Sequence, residues 1–214
     1  MIHMKVKWLG HASWQIKTKD KIIYLDPYEG EYEEKADIIL STHHHDDHCK
    51  PEKVKKARKD STKIIATTEC GEKIGKEVTT LKPGESTTID DIKIHAVEAY
   101  NFKRFRSPGT PYHPKGIGVG YIVEAEGNRV YHAGDTDFID EMKEIKDIDL
   151  LLVPSGGTYT MDNPEAADAT IEINPKQAVP MHIWDTDPAE YKEKVEETCD
   201  TRVKIMKPGE TLTL

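Results

Sequence analysis

The sequence predicts an α/β fold in a single domain spanning residues 1–214. Three observations carry that prediction. Short apolar runs of strand length alternate with polar segments in which proline opens a helix. No linker, low-complexity tract or break in composition divides the chain. A five-residue pattern also occurs twice, since Leu81-Lys82-Pro83-Gly84-Glu85 recurs as Met206-Lys207-Pro208-Gly209-Glu210. Each copy precedes an alternating, Thr-rich strand, and Pro-Gly suits the central positions of a type II turn.

Residues 6–9, 13–16 and 22–25 read as strands, with Gly10-His11 between the first two and the polar turn Lys19-Asp20-Lys21 before the third. The third ends at Asp26-Pro27, and a residue before proline is pushed toward an extended conformation. Residues 37–41 form a short apolar run that reads as a buried strand. Pro51 opens a helix to Lys59, residues 63–66 return as a strand, and a short helix surrounds Glu72. Residues 78–81 and 92–97 read as strands. From Tyr100 to Lys115 there is no periodicity, and long irregular loops in compact domains are often functional. Residues 118–124 and 129–132 form a hairpin across Glu126-Gly127-Asn128. Residues 137–146 read as a helix and 150–153 as a buried strand. Asn163 is expected to cap a helix with Pro164 at its first position, and Asp187-Pro188 starts a last helix by the same logic. Between them, residues 178–181 form a strand that delivers His182.

The net charge is −9, which speaks against a general nucleic-acid binder. No apolar run is long enough for a transmembrane helix, and the N-terminus lacks a signal-peptide pattern. Cys49, Cys70 and Cys199 are odd in number and widely spaced, which points to a reducing compartment and a cytoplasmic location.

The chemistry is concentrated in Ser41-Thr42-His43-His44-His45-Asp46-Asp47-His48, in the loop leaving the strand at 37–41. His43 and His45 alternate and point to one side, while Asp47 and His48 turn toward a neighbouring position, so the loop can feed two metals. Imidazole suits zinc, iron, copper and nickel, and the added carboxylate admits manganese.

His43-x-His45-x-Asp47-His48 resembles the signature loop of the metallo-β-lactamase-fold hydrolases. Leu25-Asp26-Pro27, His132-Ala133-Gly134-Asp135-Thr136 and Pro180-Met181-His182 are similar to further motifs of that family, in the expected order. Gly10-His11-Ala12-Ser13 and Thr160-Met161 resemble the branch that includes ascorbate-phosphate lactonases. The resemblance implies a four-layer αβ/βα sandwich of two pseudo-symmetric halves, and the repeated Pro-Gly turn agrees with it.

It also implies a binuclear site for two divalent metal ions, zinc first, with manganese or iron as alternatives. His43, His45 and a third histidine would hold one metal, Asp47, His48 and His182 the other, with Asp135 as the bridge. Asp47, Asp135 and His182 would be catalytic, and Asp26 would orient ligand histidines from behind. This chain departs from the lactonase pattern at Ala99-Tyr100-Asn101, where a histidine is usual. His113 is the expected substitute, with Asn101 and a harder metal as the alternative. His132 is read as a buried structural histidine.

The implied reaction is attack of a metal-bound hydroxide on a small ester, lactone or phosphoester. A phosphodiesterase or nuclease of the same superfamily, and a metal-holding sensor without turnover, are the competing readings. Lys103, Arg104, Arg106 and Lys115 concentrate positive charge in one loop of an acidic protein, so an anionic substrate is expected there. His11, Asn101, Arg104, Arg106 and Thr160 are the candidate substrate contacts. No membrane partner is expected, nucleic acid is disfavoured, and a homo-oligomer is left open.

Overall fold

A computed structural model describes residues 3–75 and 77–214. The first sheet is built from β1 (Lys5–Gly10), β2 (Ser13–Lys17), β3 (Ile22–Leu25), β4 (Ala36–Ser41), β5 (Arg58–Ala66) and β6 (Val78–Thr80). The second is built from β7 (Ser86–Ile89), β8 (Ile92–Ala99), β11 (Gly118–Ala125), β12 (Asn128–His132), β13 (Leu150–Pro154), β14 (Gln177–Met181) and β15 (Arg202–Val203). A small ribbon, β9 (Phe105–Ser107) with β10 (Thr110–Pro111), stands apart. The last strand, β16 (Thr211–Thr213), returns to the first sheet beside β1.

Both sheets have seven strands and the same pattern of directions. In the order β16-β1-β2-β3-β4-β5-β6, the first three pairings are antiparallel and the last three parallel. In the order β7-β8-β11-β12-β13-β14-β15 the same sequence of pairings recurs. The repeated turns lead into the two edge strands β7 and β16. Glu85 N donates to Lys82 O at 3.0 Å, and Glu210 N donates to Lys207 O at 3.0 Å. Gly84 and Gly209 take φ of 86° and 93°, the left-handed conformation that a type II turn requires at this position.

Alternation along each strand sorts the side chains into layers. Ile23, Leu25, Ile38 and Leu40 face inward and meet Leu150, Leu152, Val179 and Met181 of the other sheet in one central core. The intervening Tyr24 and Ile39 face outward, against Val54 and Ala57 of helix α1 (Pro51–Ala57). Likewise Leu151 and Val153 face outward, against Ala166 and Ile173 of α3 (Asn163–Ile173) and Tyr191 and Val195 of α4 (Pro188–Thr198). Helix α2 (Thr68–Ile74) packs beside β6. The result is the helix–sheet–sheet–helix sandwich that the family resemblance implies.

Three local readings change. Residues 137–146 do not form an α-helix; only a 3₁₀ turn at Asp140–Glu144 is present. Ile139, Met142, Ile145 and Ile148 are all buried, and their spacing of three matches the 3₁₀ repeat rather than the α repeat. The cap of α3 is Asp162, whose carboxylate accepts from Glu165 N at 2.9 Å, so Asn163 is already helical. Asn163 instead donates from its amide to Asp187 O, which joins the start of α3 to the start of α4. The segment from Tyr100 to Lys115 contains the β9–β10 ribbon, turning at Pro108-Gly109.

Candidate metal centre

The metal-ligand candidates collect where parallel strands end, the usual position of ligand sites in open α/β sheets. The loop 43–48 leaves β4, Asp26 leaves β3, Asp135 follows β12 and His182 follows β14. Two glycines permit this convergence. A Cβ on Gly156 would lie 2.2 Å from His182 O, and one on Gly134 would lie 2.7 Å from Val119 O. Backbone that only glycine allows therefore presses the His182 and Asp135 loops into the site. His11, Asp26, His182 and Trp184 themselves take left-handed φ values of 51°, 44°, 52° and 52°. Non-glycine residues rarely adopt that conformation, and where they do it often marks a functional site.

Nitrogen and oxygen atoms lie within 4.8 Å of one another in three groups, His43–His45–His113, His11–Asp47–His48–His182 and His43–His48–Asp135. In the first group, His43 Nε2 is 3.1 Å and His113 Nε2 is 3.2 Å from His45 Nδ1. Asp135 lies between the first two groups. Its Oδ2 is 3.3 Å from His113 Nε2 and 3.2 Å from His182 Nε2, and its Oδ1 is 3.4 Å from His48 Nε2. In the second group, Asp47 Oδ2 is 3.8 Å from His48 Nε2 and 3.9 Å from His182 Nε2.

The nitrogens turned away from the centre are held by partners that set ring orientation. Asp26 is fully buried and accepts from Thr42 N, Thr42 Oγ1 and His48 Nδ1, each at 2.7 Å. Because the Thr42 hydroxyl donates to Asp26, it accepts from His43 Nδ1 at 3.0 Å. His113 Nδ1 donates to Asn101 Oδ1 at 2.6 Å, and Asn101 Nδ2 donates to Asp137 Oδ1 at 3.0 Å. Trp184 Nε1 donates to His182 Nδ1 at 3.0 Å. Each arrangement aims the ring's Nε2 at the centre. For His43, His48 and His113 it also leaves Nε2 without a proton in the neutral ring, whereas the Trp184 donor keeps the neutral His182 ring protonated on Nε2.

Electrostatics follow from burial and crowding. Burial, with His48 nearby, pushes the His43 pKa well below the ordinary imidazole value. Burial, with His113 and His44 nearby, pushes His45 down to about 4. Burial opposes charge on His48 too, but Asp135 and Asp26 outweigh it and raise its pKa well above the usual value. Burial likewise opposes ionisation of Asp135 and Asp47. His182 and His48 hold Asp135 ionised, and the hydrogen bond from His11 and the charge of His48 hold Asp47 ionised.

Whether these residues fit metal is tested by the atoms left over. His48 Nε2, His182 Nε2 and Asp135 Oδ1 are buried and have no hydrogen-bond partner among the described residues. An unpaired buried polar group costs about 1–3 kcal/mol, and three in one cavity need a common partner. A divalent cation supplies one, and an imidazole–carboxylate set suits zinc, iron or manganese.

The sequence-predicted substrate contacts divide. His11 is at the centre, where Nε2 donates to Asp47 Oδ2 at 3.0 Å. Arg106 lines the cleft above the ligands. Asn101 does not reach the cleft; it is buried behind His113, to which it is bonded. Arg104 turns away, because Asp137, Glu165 and Gly157 O occupy its guanidinium. Thr160 is fully buried, its hydroxyl donating to Met161 O. His132 is satisfied inside the fold, with Nε2 donating to Ala12 O and Nδ1 accepting from Gly134 N. Cys49 is packed with Cys70 and Ala66 under the metal loop. Sequence reasoning did not pick out Tyr112, Tyr159 or Trp184, which also line the cleft. The available signal was weak: Trp184 follows His182 by two residues, and Tyr112 precedes His113.

Comparisons with known proteins bear on the family and the fold. Residues 5–182 match the family model described as β-lactamase superfamily domain. A UPF0173 metal-dependent hydrolase of Thermococcus kodakarensis is 35% identical, with 99% of this chain and 100% of that protein covered. Another, from Pelotomaculum thermopropionicum, is 32% identical over 99% and 100% of the two chains. Among solved structures, a protein of Parabacteroides distasonis is 37% identical, with TM-score 0.88 over 95% and 94% of the two chains. Igni18, described as a metallo hydrolase of Ignicoccus hospitalis, is 28% identical, with TM-score 0.81 over 99% and 98%. The chain belongs to the metallo-β-lactamase superfamily, and within it to the UPF0173 metal-dependent hydrolases.

Proposed function

We propose that this metal-dependent hydrolase works with two divalent metals, zinc in the first instance, on a small anionic ester, lactone or phosphoester in the cytoplasm. The observation that carries the reading is the position of Asp135. Its two oxygens face histidines of both ligand groups, so one carboxylate could serve two cations. His43, His45 and His113 would hold one, and Asp47, His48 and His182 the other. When bound, paired divalent metals bring the pKa of coordinated water down toward about 7 and polarise the attacked group.

The chain's own residues prepare the site for that chemistry. Asp26, Thr42 and Asn101 fix the rings of His48, His43 and His113, so the ligand atoms are aimed before metal arrives. The depressed pKa of Asp47 suits an ionised ligand better than a proton carrier. His11 is pushed by burial toward its neutral form, and its Nε2–H orients the Asp47 carboxylate.

Metal analysis of protein purified without a histidine tag, paired with assays on a lactone, a simple phosphodiester and RNA, tests the reading. About two equivalents of metal and turnover of a small substrate are expected. No bound transition metal and no uptake on titration would sink it.

A further inference from the structure

The cleft above the metal ligands has walls that the reaction itself does not use. It encloses about 240 Å³, and Arg106, Tyr112, Tyr159 and Trp184 line it alongside the ligands. These four form a continuous arc. The Arg106 guanidinium lies 5.8 Å from the Tyr112 ring centre, and Tyr112 meets Tyr159 edge-on at 4.8 Å. Tyr159 lies 5.9 Å from Trp184, and Trp184 lies 5.6 Å from His182. The arc thus runs from a cation at one end to a metal ligand at the other. Tyr159 and Trp184 remain 36% and 55% exposed, so aromatic surface lies open to a ligand. Contiguous apolar surface inside a cleft marks a binding site.

Arg106 differs from the other cations of its segment. Lys103 is paired with Glu165, Arg104 with Asp137 and Glu165, and Lys115 with Glu141. Arg106 is exposed, and no carboxylate pairs with it among the described residues. In a chain of net charge −9, a cation left unpaired at the cleft points to an anion from outside.

We infer that the substrate carries a planar ring and, separate from the bond to be cleaved, an anionic group. The ring packs within the arc of Tyr112, Tyr159 and Trp184. The carboxylate or phosphate meets the Arg106 fork, which can grip either through two hydrogen bonds. The scissile group then lies at the His182 end, a placement that rests on the hydrolase reading above. The cleft is smaller than the roughly 300–1,000 Å³ of pockets for drug-sized ligands, so a single ring with short substituents fits.

Calorimetric titration of metal-loaded protein tests this with four probes. Terephthalate has the ring and a second anion, 4-phosphonobenzoate exchanges that anion for a phosphonate, benzoate lacks it, and trans-1,4-cyclohexanedicarboxylate lacks the planar ring. Terephthalate or 4-phosphonobenzoate should bind about tenfold or more tightly than either of the last two, the gain expected from one charged hydrogen-bonded contact. Whichever of the pair binds better identifies the preferred anion. Arg106→Gln should remove the advantage over benzoate, and Tyr159→Ala the advantage over the cyclohexane probe, with metal content retained. Equal binding of all four probes, or a preference that survives both substitutions, overturns the inference. Hydrolysis of uncharged phenyl acetate without selective binding would sink this inference and leave the reaction standing. Selective binding without turnover of any ester, lactone or phosphodiester would do the reverse.

Discussion

The two halves of the molecule share a scaffold and differ in how they furnish the metal centre. Each has a seven-stranded sheet with three antiparallel pairings followed by three parallel ones. The first half places His43, His45, Asp47 and His48 in one loop after β4. The second half contributes His113, Asp135 and His182 from three separate segments. In each half an aspartate follows the first parallel strand, yet the two do opposite things. Asp26 stands behind the histidines, saturated by Thr42 and His48. Asp135 stands among them, with Oδ1 unpaired. The same strand-end position thus holds a supporting carboxylate in one half and a candidate ligand in the other, and the partners available decide which.

The sharpest way to break this contrast is Asp135→Ala. It should lower kcat/KM by about 10²–10³-fold or more and abolish stable two-metal occupancy, by analogy with removing a main stabiliser of reacting charge. Steady-state kinetics with elemental analysis checks both, and unchanged turnover would show the bridge assignment to be wrong. Asp26→Ala attacks the supporting aspartate instead. It leaves His48 Nδ1 and the Thr42 donors unpaired in a buried site, so a stability loss of about 3–5 kcal/mol is expected by denaturant unfolding. A loss confined to metal affinity, with stability kept, would show that Asp26 supports only the ligands.

Asn101→Ala probes the second half's dispersed ligand. It removes the acceptor that orients His113, and metal affinity at the first site should fall about 10–100-fold. Competition with a chelator measures this, and an unchanged affinity would mean that His113 orients itself. Arg104→Gln is expected to have the smallest effect on function. Its partners Asp137 and Glu165 would lose a charged hydrogen-bond donor, at a cost of about 1–3 kcal/mol in stability. KM should stay constant, and a rise in KM would return Arg104 to the cleft.

The same contrast explains what was readable. The loop 43–48 is legible because its ligands are contiguous, and contiguity survives in a string of letters. The two faces of each strand are nearly as legible, since alternation sorts Ile23 and Leu25 from Tyr24 without knowledge of the partner sheet. His113 was harder, because nothing in sequence says that a ribbon at 105–111 folds it back toward His45. Arg104 and Arg106 are two residues apart in one strand-like segment and look equivalent. Arg104 lies just before β9 and turns toward Asp137 and Glu165, whereas Arg106 lies within β9 and reaches over Tyr112.

The two similar halves came through the family resemblance, whereas the α/β class, the contiguous 43–48 loop and the residue types of a metal-binding cluster could be read from the letters alone. These depend on local patterning and on the chemistry of individual side chains. Which partner each group meets was settled by packing in three dimensions. It put Asn101 behind His113, satisfied His132 with Ala12 O and Gly134 N, and paired three of the four loop cations while leaving Arg106 at an aromatic wall. Those outcomes rest on distances between residues remote in sequence. Such distances follow from how two sheets pack and where their strand ends converge.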